Sequence, residues 1–108
     1  MKKALISQKY EGKSNEEVIK ERKQAMEALR EQGFEPVFGN FYDEFNEMKR
    51  KNPNPKCQHP ELHYLSERLK IMSDCSAVYF CKGWEYDSQC RMEHEASLMY
   101  GLRTLYAD

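Results

Sequence analysis

Apolar positions fall into short continuous runs separated by longer stretches at helical spacing. Ala4, Leu5 and Ile6 make a run that ends at Ser7 and predict a first strand. Ser14 with Glu17 three residues on reads as a capping box. Val18, Ile19, Ala25, Met26 and Leu29 then recur at helical spacing, with Arg22 the one polar interruption, and Gly33 predicts the stop. Phe34 to Phe38 predicts a second strand. Its Pro36 argues for a sheet edge or a late start, because proline cannot donate to a central ladder. Leu62, Leu65, Leu69 and Met72 predict a second helix from Glu61. Ala77 to Phe80 predicts a third strand, and Gly83 to Ser88 a turn-rich loop. Cys90 to Tyr100 predicts a third helix with Met92, Ala96 and Met99 as its core stripe, stopped at Gly101; Leu102 to Tyr106 predicts a last strand.

Strands alternating with helices predict an α/β fold: a small doubly wound three-layer sandwich on a four-stranded parallel sheet. Right-handed crossovers suggest a flavodoxin-like order, 2-1-3-4. The whole chain, residues 1–108, reads as one domain with a long irregular loop at 39–60. Within that loop, Phe41, Phe45 and Met48 could share one face of a short helix before Pro53, Pro55 and Pro60 break the pattern. In such sheets ligands bind beyond the carboxyl ends of the strands. Here those ends are Ser7 to Lys13, Phe38 to Phe41 and Cys81 to Cys90.

A chain of 108 residues can bury a core without disulfide or metal staples. With 32% charged residues and no apolar run near the ~20 of a spanning helix, no membrane association is expected. Nothing at the start resembles a signal peptide, so a cytoplasmic location is expected. Seventeen basic against eighteen acidic residues leave a net charge of −1. That gives no basic field for a nucleic-acid polymer, and Lys49, Arg50 and Lys51 read as a solvated loop face. Cys57, Cys75, Cys81 and Cys90 are expected as reduced thiols, with Cys75 and Cys81 flanking the third strand as buried hydrophobes.

The five glycines form neither a dinucleotide turn nor a phosphate loop. Cys57, His59 and His63 lie close together, but their spacing matches no common zinc pattern, and neither metal nor cofactor is expected. Cys90 and His94 are four apart on one helix face near its start, where a thiol is acidified; the competing reading is a small filler. Glu93 lies about 100° from the predicted core stripe, on the helix flank and close to the end of the third strand. An ionised carboxylate there could attack an anomeric carbon; equally, it could be only a favourable partner of the helix dipole.

Gly83, Trp84 and Glu85, then Cys90 through Ala96, then Tyr100 and Gly101 resemble the signature of a small bacterial and phage family of nucleoside 2-deoxyribosyltransferase-like proteins. Ile6, Ser7 and Gln8 with Gly12 and Lys13 resemble that family's opening motif. The resemblance covers the chain apart from residues 39–60. It implies that Glu93 is a nucleophile toward C1′ of a deoxyribonucleoside or its 5′-monophosphate, with transfer of the sugar to a second base or to water. It places the Tyr10 ring near the sugar, with Ser7, Gln8 and Gly12 lining the same loop. Gly83, Trp84, Asp87 and Arg91 join the substrate-binding set; Trp84 is a base-stacking lid, an interface anchor or a plain loop wall, and Arg91 with Lys9 and Lys13 supplies the nearby cations. Where the superfamily carries an assisting Asp, the matching helix offers Ser66, Glu67 and Arg68. Asp74 and Asp87 are substitutes that do not align. The implied partners are a small nucleoside or nucleotide and, as in related enzymes, further copies of the chain in a homo-oligomer. The alternatives are a nucleotide- or nucleoside-binding module without turnover, and an interaction protein with a vestigial cleft.

Overall fold

A computed structural model describes residues 1–37 and 58–108. Most of the 39–60 loop lies outside the described residues, with Cys57, the 49–51 basic cluster and the short helix expected around Phe41 and Met48. The elements are β1 (Lys2–Ser7), α1 (Asn15–Glu31), β2 (Phe34–Val37), α2 (Pro60–Met72), β3 (Ala77–Phe80), a 3₁₀ turn (Trp84–Tyr86), α3 (Ser88–Met99) and β4 (Arg103–Tyr106). All strand pairs are parallel and the sheet order is β2-β1-β3-β4, the α/β arrangement expected from the alternation of strands and helices. β2 is an edge, so Pro36, which sits opposite Ala4, removes no bond from a central ladder.

Alternation along the strands splits the core into two layers. Ala4 and Ile6 of β1 and Ala77 and Tyr79 of β3 face α1, where Ala25 and Leu29 meet them. Leu5, Val78 and Phe80 face the other way and pack with Met72 of α2 and Ala96 of α3. Burial of each large apolar side chain here contributes about 1.5–3 kcal/mol. One helix on one face and two on the other is what right-handed crossovers require when the chain steps to one edge and then back across.

α1 starts as its sequence predicts. Ser14 Oγ accepts from the Glu17 amide at 3.1 Å, and Glu17 returns its carboxylate to the same hydroxyl at 3.3 Å. It ends at Gly33, whose φ of +84° is the left-handed conformation that favours glycine. Ile19 of the predicted apolar set is exposed.

The buried faces of α2 and α3 correct the apolar stripes. α2 buries Tyr64, Leu65, Arg68 and Met72, while Leu62 and Leu69 are exposed. α3 buries Cys90, Glu93 and Ser97, and of the predicted stripe only Ala96 packs on the core; Met92 and Met99 are 54% and 71% exposed. Glu93 is therefore central to the buried face and not on its flank. The physical reason is twofold. Small side chains at Cys90 and Ser97 let the helix approach the sheet closely, and the charge between them has a partner on α2.

Candidate functional site

The carboxyl ends of β1 and β3 and the first turns of α3 enclose a buried polar cluster. At its centre the Arg68 guanidinium grips the Glu93 carboxylate in a fork, Nε to Oε2 at 2.5 Å and Nη2 to Oε1 at 3.0 Å. Nη2 also donates to the Ile6 carbonyl at 2.9 Å, which anchors the pair to the end of β1. Arg68 is 5% exposed and Glu93 1%. Burial works against the Arg68 charge, but the Glu93 carboxylate overrides it and holds the guanidinium protonated beyond its ordinary range.

Tyr10, just past β1, lies beside this pair. Burial pushes its phenol up, Arg68 and Arg22 pull it back, and the Glu93 charge adds a smaller push upward. Arg22 Nη2 reaches the phenol oxygen at 3.5 Å. Ser7, fully buried, has a hydroxyl with no hydrogen bond of ordinary geometry among the described residues. The Cys90 thiol interacts with it, a weak sulfur contact that leaves the hydroxyl short of a full partner. Burial raises the Cys90 thiol strongly; Ser7 eases the shift, while Asp87 and Glu93 increase it.

Burial and the upward direction of the shift both run against Cys90 as a nucleophile, the opposite of the acidified thiol expected at a helix start. Its expected pairing with His94 also fails. His94 turns to Tyr106, Nε2 to hydroxyl at 2.7 Å, and its ring stacks on Trp84 with centroids 4.1 Å apart.

Several candidate residues make contacts within the fold itself. Trp84 packs on Phe80, His94 and Tyr106, so its ring forms part of an aromatic wall. Gly83 begins the 3₁₀ turn at φ +91°, with Lys9 Cδ 3.7 Å from where a Cβ would stand. Asp87 caps α3, Oδ2 accepting from the Cys90 amide at 2.9 Å. Gln8 spends its amide NH₂ on the Val18 carbonyl and Glu21, leaving buried Oε1 without a partner among the described residues. Lys13 binds both oxygens of Glu21 and the Lys82 carbonyl, which ties the loop after β1 to the loop after β3. Lys9 reaches over the Tyr86 ring at 5.9 Å. Gly12 is exposed in the turn after β1. Arg91 is two residues from Glu93, 200° around the helix, and exposed.

Ser7, Tyr10 and Glu93 thus come together, and Arg68, Arg22 and Cys90 complete the cluster. Arg68 and Arg22 are the additions. Both are visible as charges set into apolar stripes, Arg68 between Leu65 and Met72 and Arg22 between Val18 and Ala25. Among the described residues no group of three metal-binding side chains occurs, and no helix is long and apolar enough to cross a membrane. Comparison with protein-family models, curated proteins and solved structures finds no match to this chain.

Proposed function

We propose that the chain is an enzyme of the N-glycosidic bond, acting on a deoxyribonucleoside or its 5′-monophosphate through Glu93. The observation that carries this reading is a carboxylate fixed at the carboxyl edge of a parallel sheet, with a phenol beside it and an under-bonded serine hydroxyl in the same cluster. A Glu93 oxygen gives its electron pair to C1′. The C1′–N bond breaks, its pair leaves on the base, and the base takes a proton from solvent. Water, or a ring nitrogen of a second base, then attacks C1′ and loses its proton to solvent. The ester's C1′–O bond breaks and the carboxylate is restored.

Tyr10 would flank the sugar and Ser7 would bond one of its oxygens. The same reading makes the protein cytoplasmic and homo-oligomeric. Exposed Met92, Leu98, Met99 and Tyr100 on and just after α3 offer apolar surface for such assembly.

A second reading, nucleoside or nucleotide binding without turnover, is favoured by the fork itself. Both carboxylate oxygens are engaged and the residue is 1% exposed. One experiment separates the two. Deoxynucleosides and their 5′-monophosphates are incubated with the protein, with and without a second base, and free base is followed by chromatography. Release that vanishes in Glu93→Gln supports the enzyme; thermal stabilisation by a panel member that is never cleaved supports the binding module.

A further inference from the structure

The two halves of the Arg68–Glu93 fork are not equivalent. Nε makes one short bond, 2.5 Å to Oε2. Nη2 divides itself between Oε1 at 3.0 Å and the Ile6 carbonyl at 2.9 Å. Releasing Oε1 leaves Nη2 bonded to the β1 backbone. Releasing Oε2 breaks the shorter charge-assisted bond, at a buried N–H where a lost acceptor is costly.

From this asymmetry we infer that Arg68 is the positioning residue of the site, with Oε2 as the anchored oxygen of Glu93 and Oε1 as the one that turns to the ligand. The inference rests on the proposed glycosidic reading and names the atom that performs its first step. Oε1 donates its electron pair to C1′ as the base departs with the C1′–N pair, while Oε2 stays on Nε and keeps the carboxylate in one orientation. Lysine cannot replace this function, because a single ammonium has no fixed pair of donors. Tyr10 and Ser7, the latter with its hydroxyl under-bonded, lie in the same cluster.

The test uses the full chain and two readouts. In a sample with ¹⁵N-labelled arginine, the Arg68 Nε–H should exchange slowly with solvent and shift in Glu93→Gln. Added deoxynucleoside should leave it in place while Nη2 moves. An Nε–H that exchanges like those of exposed arginines, or that ignores Glu93→Gln, overturns the inference whether or not the protein turns over. For turnover, Arg68→Lys should lower kcat by roughly a hundredfold, the scale of an ångström of misplacement. KM should stay within about threefold. Methylguanidinium should restore rate to Arg68→Ala at a temperature where that variant is already fully folded without it, which a purely structural role would not allow. Wild-type kcat in a folded Arg68→Lys also overturns the inference. Absence of wild-type turnover with an intact Nε–H signature strikes the glycosidic reading instead.

Discussion

Glu93 and Arg68 each supply a charge that the interior tolerates only because the other is present. Removing one partner leaves a bare ion at a position that is almost fully buried, and such losses cost about 3–5 kcal/mol. Arg68→Met should therefore lower the urea midpoint sharply, while Arg68→Met combined with Glu93→Leu should recover much of the loss. A double-mutant cycle in urea measures the difference, and equal instability of the single and double variants would contradict the pairing. Trp84 permits a second residue-level test, because it is the only tryptophan in the chain. With the His94 ring stacked 4.1 Å from it, removing that ring in His94→Ala should change the intensity and wavelength of its emission at fixed pH. An emission spectrum identical to that of the wild type would contradict the stack.

Element by element, the capping and turn chemistry and the buried stripe of α1 were open to reading from the chain; the buried face of α2 was legible only in part, and that of α3 was not. Ser14, Glu17, Gly33 and Pro36 act through backbone geometry within a few residues of themselves, so their positions alone define the ends of α1 and the edge strand. The face that α3 turns inward is decided by what α2 presents to it. Met92 and Met99 are seven apart, as core residues would be, yet the stripe of Cys90, Glu93 and Ser97 is the buried one, with small side chains at its two ends and the Arg68 guanidinium meeting the charge between them. The same limit hid half of the site. Glu93 could be singled out by its place near a strand end, whereas its partner 25 residues away is joined to it only by the tertiary fold. At concentrations low enough to keep the chain monomeric, Met92→Lys and Met99→Lys should thus change stability by no more than about 0.5 kcal/mol, as exposed substitutions do. A loss of several kcal/mol in denaturant would restore the methionines to the core. Asp87→Ala, which removes the cap of α3, should cost about 1 kcal/mol.

The molecule as a whole should be weaker in alkali, and its cysteines give the sign. Burial, the largest cause in each case, pushes Cys81 up to about 12 and Cys90 further still. Once unfolded, both thiols return to the ordinary range near 8.5. Above that pH the unfolded chain loses protons that the folded chain keeps, so unfolding releases protons and stability falls as pH rises. The stabilisation is complete below the unfolded thiol pKa and is lost through the interval from about 8.5 to about 12 for Cys81. Each such thiol removes roughly 1.4 kcal/mol per pH unit across its interval. Tyr10 and Tyr79, also raised chiefly by burial, add to the decline at its upper end. Urea midpoints at pH 7.5, 9 and 10.5 should therefore step downward under reducing conditions. The slope should flatten in Cys81→Ser with Cys90→Ser, even if that variant is less stable at neutral pH, because serine carries no proton to lose in this range. A slope unchanged by the double substitution would assign the alkaline loss to Cys75, Tyr10 and Tyr79, which burial also raises. It would also mean that the folded chain does not hold Cys81 and Cys90 above the ordinary thiol range.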